Sequence, residues 1–207
     1  MSRKPSPKYD PNADRFVAMH EAGHAVVAFV LGMSLKYVSI ERQKVGGMIS
    51  LGYTSAPIPI PNGDISPETT VGWIAQALAG VAAESMINPE ASSEGGSDND
   101  FQSARRIAAF CICNRTVGEH NQILIEPEEI NRCRERIDEV MKEGLSLALT
   151  LVTKHERAIR RTCNNLMKKS RLTGKQVAKI VAECADPKAT ESTADQLDAR
   201  SGSPILK

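Results

Sequence analysis

Residues 20–24 read HEAGH, and this run constrains the fold more than any other feature of the chain. On an α-helix His20 and His24 lie one turn apart on the same face, so both imidazoles reach a single metal ion while Glu21 stands beside them as a base that need not be a ligand. The flanking pattern calls for that helix. Phe16, His20, His24, Val27 and Leu31 recur at helical spacing, Asn12 and Asp14 are available as caps, and Gly32 is a stop. Two imidazoles in an apolar stripe are costly to bury without partners, and a metal removes that cost. Two neutral histidines and a third protein ligand hold Zn²⁺ with one position open to water, whose pKa falls from about 15.7 toward about 7, and Glu21 can take the proton and pass it to a leaving amine.

The third ligand has to come from elsewhere. The stretch Glu94-Gly95-Gly96-Ser97-Asp98-Asn99-Asp100 leads into FQSARRIAAF, a loop entering a helix, and a carboxylate there closes a two-His, one-carboxylate site. Asp98 and Asp100 both qualify by position, and either could instead cap the helix. His120, in a polar turn-like segment, and His155, among charges on a helix, are weaker candidates.

Several blocks of the chain resemble one family. MHEAGHAVVA is similar to the zinc-binding helix of the FtsH-type zinc proteases, whose peptidase domain normally follows a membrane segment and an AAA ATPase. In the same order, Leu51-Gly52-Tyr53-Thr54 resembles that family's LGYT strand, and Leu78-Ala79-Gly80-Val81-Ala82-Ala83-Glu84 resembles its LAGRAAE helix. Ser97-Asp98-Asn99-Asp100-Phe101 resembles its SND-hydrophobic segment, and Leu172-Thr173-Gly174-Lys175-Gln176-Val177 its last helix-turn-helix. The resemblance covers roughly residues 12–184 and implies that Asp100 is the third zinc ligand. Val81 stands where the family has Arg, and Asp98 is an extra acid beside the implied ligand.

No G-x-x-x-x-G-K-[ST] phosphate loop occurs in these residues. The longest apolar run, Ala25 to Met33, falls short of the roughly 20 residues that cross a bilayer, and the polar start MSRKPSPKYD is no secretory signal. With 26 Lys and Arg against 25 acids, no global charge draws the chain to nucleic acid or membrane. Five cysteines make no paired framework, which suits a reducing cytoplasm, and Cys111 and Cys113 point different ways on a helix, so no second metal site is expected. The expectation is therefore a soluble, cytoplasmic, stand-alone version of the peptidase domain, with no membrane span and no nucleic-acid partner.

The predicted fold is mainly α with a small β-hairpin or sheet, a zincin-like helical domain over residues 12–185 between a flexible start (1–11) and a disordered tail (186–207). Strands are expected at Leu35–Glu41 and Gly47–Thr54, and helices at Pro67–Ile87, at 98–117 and from Pro127 to about residue 170. Gly47 to Tyr53 is assigned to holding an extended substrate by strand addition, a plain structural hairpin being the other reading. Gly52, Tyr53 and Thr54 belong with that strand or with the surroundings of the metal. For Glu84 two roles stay open: orienting a zinc-bound histidine, or a solvated surface acid. Lys154, Arg157, Arg160, Arg161, Lys168, Lys169 and Arg171 are expected to form the solvated face of an amphipathic helix.

Two functions from different classes follow. One is a zinc endopeptidase with a single Zn²⁺ on His20, His24 and Asp100 and Glu21 as general base, cutting flexible or unfolded polypeptides, with a separate ATPase as a partner and homo-oligomerisation left open. The other is a non-catalytic, zinc-stabilised peptide-binding or adaptor module. The presence of Glu21 favours the first, since a structural site has no use for a base.

Overall fold

The computed structural model describes residues 11–45, 48–58, 65–87, 96–113, 116–117 and 123–185. The predicted flexible start through residue 10, the predicted tail from 186 and His120 lie outside them. The chain order is α1 (Pro11–Val30), β1 (Tyr37–Ser39), β2 (Gln43–Val45), β3 (Met48–Ser50), β4 (Tyr53–Ser55), α2 (Pro67–Glu84), α3 (Gly96–Ile112), β5 (Thr116–Val117), β6 (Ile123–Leu124), α4 (Pro127–Arg132), α5 (Arg134–Lys154), α6 (Glu156–Lys169), β7 (Arg171–Thr173) and α7 (Gly174–Ala185).

The architecture is the mainly helical one expected, with α2 at its centre. This helix begins at Pro67 because Ser66 caps it, its side chain accepting the Thr69 amide at 3.2 Å, and Pro67 at the first helical position gives up no hydrogen bond. Its small residues let three helices close on it: α1, α3 and α5 all pack against α2. Met19, Val26, Val27, Ile74, Leu78, Ile137, Ile159, Leu166 and Leu172 are fully buried between these layers. On the α5 side Ile74 fills the space that a side chain at Gly144 would need.

Strand β1 lies in the middle of an antiparallel sheet of order β4-β1-β7, with Val38 opposite Thr54 on one side and Leu172 on the other. Two ladders of two strands each, β2–β3 and β5–β6, stand apart from it.

Several boundaries differ from the sequence expectation. Helix α1 starts at Pro11, so Asn12 and Asp14 sit inside its first turn rather than capping it, because a proline needs no N–H partner there. Its end agrees: Gly32 takes φ +73°, and the Met33 amide returns to the Ala28 carbonyl at 2.9 Å. The expected strand Gly47–Thr54 is two strands, since β3 pairs with β2 whereas β4 pairs with β1, and the chain bends at Leu51–Gly52 between them; Gly47 is outside the described residues. The third expected helix ends at Ile112, and Thr116–Val117 are strand. The expected long helix from Pro127 is three, interrupted at Cys133 and His155. The second break follows from packing: α5 lies on α2 but α6 lies on α1, and the chain must turn between them. The turn of the resembled helix-turn-helix is strand β7, started by Ser170 in the left-handed region (φ 58°), which stops α6 and delivers buried Leu172 to the central strand.

Candidate metal centre

His20 and His24 project from the middle of α1, where Gly23 makes the site possible. A Cβ at Gly23 would lie 2.5 Å from the Ala79 carbonyl oxygen and 2.6 Å from the Ala83 methyl, so α1 and α2 touch almost backbone to backbone. At that separation α2 supplies partners for both rings. His20 Nδ1 donates to Glu84 Oε1 and His24 Nδ1 donates to the main-chain oxygen of Gln76, each at 2.8 Å. Helix α3 enters from the third side and brings Asp100.

The two Nδ1 bonds decide where the other nitrogens point and what they offer. A carbonyl oxygen only accepts, so the His24 ring carries its hydrogen on Nδ1 and turns a lone pair outward at Nε2. His20 is held the same way by a carboxylate. His20 Nε2 and His24 Nε2 then lie 3.0 Å apart, and Asp100 Oδ2 lies 3.2 and 3.1 Å from them. A tetrahedral cation with ligand bonds of about 2.0–2.1 Å spaces its ligands about 3.3 Å apart, close to this triangle. Three basic atoms at such spacing must share protons or a cation. Burial disfavours charge on His20, yet the hydrogen bonds it donates to Asp100 and Glu84 outweigh it, aided by the fields of Asp100 and Glu21, and push its pKa up to about 10. The same two histidines, working against burial, hold Asp100 well below the usual carboxylate range. The donor set fits Zn²⁺, and His20, His24 and Asp100 form the one such triad among the described residues.

Gly80 faces both rings. A Cβ there would lie 2.5 Å from His24 Nε2 and 2.6 Å from His20 Cε1 and Nε2, so only a glycine on α2 leaves room for the imidazoles.

Glu21 sits next to this triangle and is buried. Its carboxylate meets β4 rather than a helix: Thr54 Oγ1 donates to Oε2 at 2.6 Å, and a Cβ at Gly52 would lie 2.6 Å from Oε1. A cleft of about 350 Å³ opens over these groups, lined by His20, Glu21, His24, Gly52, Tyr53, Thr54 and Asp100 together with Ala56, Ile58, Gln76, Ala77, Ser103 and Ile107.

The structure thus brings His20, Glu21, His24, Asp100, Glu84, Gly52, Tyr53 and Thr54 together. Glu84 is buried and bonded to His20, so the solvated-acid alternative fails. Asp98 falls in the first turn of α3, two residues before Asp100, and its side chain is outside the described set. His155 lies at the α5–α6 junction and does not line the cleft; burial and Lys154 lower its pKa. Sequence reasoning missed Gln76, which contributes a main-chain atom and leaves no side-chain signal, and the steric role of Gly80, which was visible only as one member of a run of small residues.

The sequence has relatives among known proteins. The chain is similar to the ATP-dependent zinc metalloprotease FtsH of Methylococcus capsulatus, 29% identical over 192 residues that make up 82% of this chain and 29% of that protein. It is likewise similar to the ATP-dependent zinc metalloproteases FtsH of Kosmotoga olearia and Thermotoga maritima, each 27% identical over 198 residues, covering 83% and 84% of this chain and 29% and 31% of those proteins. The chain therefore spans less than a third of the length of these relatives. Among the described residues no helix is long and apolar enough to cross a membrane. The family model for peptidase family M41 matches residues 8–129, a stretch holding every residue of the candidate metal centre, and the chain belongs to that family.

Proposed function

We propose that the chain is a zinc-dependent endopeptidase that hydrolyses peptide bonds in flexible or unfolded polypeptides. The observation that carries this reading is the convergence of His20 Nε2, His24 Nε2 and Asp100 Oδ2 within 3.0–3.2 Å, beside a buried glutamate in an open cleft. These three atoms would hold one Zn²⁺ per chain. Bound there, the ion supplies Lewis acidity, polarising a scissile carbonyl and acidifying a water molecule.

The chain's own residues do the rest. Glu84 and the Gln76 carbonyl fix the tautomer and tilt of the two imidazoles, which raises their strength as ligands. Glu21 takes a proton from the attacking water and returns it to the departing amine. Strand β4 is the outer strand of its sheet and borders the cleft, so an extended substrate can add to its open edge, with Gly52 and Tyr53 at the contact. A cleft served by strand addition admits only chain that is already extended. The relatives are ATP-dependent by name, which supports an ATPase as the supplier of unfolded substrate.

The test compares the wild type with Glu21→Gln in zinc content and in hydrolysis of casein and of short unstructured peptides, which need no unfolding. One zinc in both proteins, with cleavage in the wild type alone, is the expected outcome. A wild type that binds zinc and cleaves neither substrate would overturn the reading and leave a zinc-stapled binding module.

A further inference from the structure

Glu21 belongs to α1, but the contacts that aim its carboxylate come from β4. One residue along from His20, its side chain leaves the helix about 100° around the axis from His20 and about 60° from His24. It carries three rotatable bonds, and a buried carboxylate needs a donor. Thr54 is such a donor: its Oγ1 lies 2.6 Å from Oε2, within the range of a charge-assisted O–H···O⁻ bond. Gly52 closes the other side: its missing Cβ would stand 2.6 Å from Oε1, 2.7 Å from Glu21 Cγ and 2.9 Å from Val17 Cγ1. The carboxylate is therefore seated between the glycine at the β3–β4 bend and a hydroxyl two residues further on, in β4.

We infer that Thr54 is the positioning residue for Glu21, its hydroxyl holding Oε2 and with it the carboxylate beside the His20–His24–Asp100 triangle. This rests on the proposed peptidase reading, in which Glu21 is the base. A hydroxyl suits the task better than other donors. It has one hydrogen and two lone pairs, and Thr54 Oγ1 also lies 3.2 Å from the main-chain oxygen of Glu21. While Glu21 is a carboxylate, Thr54 donates to it. Once Glu21 has taken a proton, the hydroxyl turns its hydrogen to the main-chain oxygen and accepts from the acid, and Glu21 stays in place through both halves of the proton transfer. Thr54 is itself fixed by the β1–β4 ladder opposite Val38, and β-branching suits a strand. The strand proposed to receive substrate thus also aims the base.

Thr54→Val keeps shape and volume and removes the hydroxyl; Thr54→Ser restores it. With the full zinc-loaded chain and an unstructured fluorogenic peptide, Thr54→Val should keep one zinc and stay folded with a melting temperature lower by only about 2–10 °C, keep KM within about twofold and lose kcat by roughly 10- to 100-fold. Thr54→Ser should recover kcat to within about fivefold of wild type. A second readout does not depend on turnover: the Glu21 carboxylate stretch, isolated by infrared difference against Glu21→Gln, should shift in Thr54→Val and return in Thr54→Ser. Wild-type kcat in Thr54→Val, an unmoved band, or a kcat loss that Ser does not restore would overturn the assignment of Thr54 while leaving the peptidase reading intact. A zinc-loaded wild type that cleaves nothing would overturn the peptidase reading, and the role of Thr54 with it.

Discussion

The two walls of the cleft are built on opposite terms. On the helical wall, α1, α2 and α3 approach so closely that the metal centre is defined by atoms with nowhere else to go: Gly23 touches the Ala79 carbonyl, and Gly80 faces both imidazoles. On the other wall stands β4, three residues long, paired on one side with β1, with Leu51 and Tyr53 half exposed beside it. The helical wall fixes ligands by excluding alternatives, as close-packed interiors do. The strand wall holds the Glu21 carboxylate through the Thr54 hydroxyl, and β4 is the outer strand of its sheet. Damage to the first wall should therefore cost metal, and damage to the second should cost turnover or substrate affinity while metal stays.

The severest break in this contrast is Gly80→Val. Its Cβ would need the volume that His20 and His24 occupy, and neither a ring nor the α2 backbone can yield by about 1 Å without moving a helix. Loss of stoichiometric zinc is expected, measured by elemental analysis after gel filtration. A variant that retained tight zinc would show that the helical wall is far more compliant than its contacts imply. Glu84→Ala comes next. It frees the His20 ring without touching a ligand, and a fall in zinc affinity of about 10- to 100-fold is expected by competition with a chelator. Equal affinity for both proteins would reduce Glu84 to a bystander.

The helical wall was largely legible in the sequence and the strand wall was not, for physical reasons. Imidazoles at i and i+4 on an apolar stripe announce both a helix and a site, because helical periodicity carries the geometry. Glu84 could be named but not assigned, since its partner His20 is 64 residues away and only packing brings them together. Asp100 was separated from Asp98 by resemblance rather than by spacing. Strands were expected where β1 and β4 lie, but the pairing of β4 with β1, and of β1 with β7, depends on contacts distant in sequence, and three-residue strands give too few alternations to fix partner and register. The periodicity over Pro127–Lys169 was read correctly as helix and wrongly as continuous, because the break at His155 answers to which neighbour each half packs on.

A gentler probe of the helical wall is pH. In the metal-free chain His20 is raised from an ordinary 6.5 to about 10, so its pairing with Asp100 and Glu84 stabilises the fold fully below pH 6.5 and that contribution is lost as pH rises through about 10. Asp100, held below its ordinary 3.8, contributes above that pH and loses its contribution as pH falls further. Zinc must displace the His20 proton, so apparent affinity should rise with pH, by about tenfold per unit between pH 7 and 9 if one proton is exchanged. Calorimetry in buffers of different ionisation enthalpy would count the protons released. Affinity flat over that range would mean that His20 is already neutral before the metal arrives.

The smallest effect is expected at Tyr53, and it separates the two faces of the strand wall. Tyr53 is neighbour to Thr54 in β4, yet successive side chains of a strand point oppositely, and Tyr53 is half exposed at the cleft with its ring 6.1 Å from that of Tyr37, over which Arg171 lies at 3.8 Å. Removing an exposed ring that carries no site hydrogen bond should cost less than about 1 kcal/mol of stability. If the open edge of β4 receives the peptide, Tyr53→Ala weakens that contact in the ground state and the transition state alike, so KM should rise about two- to fivefold with kcat and zinc content unchanged. A kcat loss matching that expected of Thr54→Val would mean that Tyr53 and Thr54 act together on Glu21, and that strand addition and alignment of the base are one event rather than two properties of one strand.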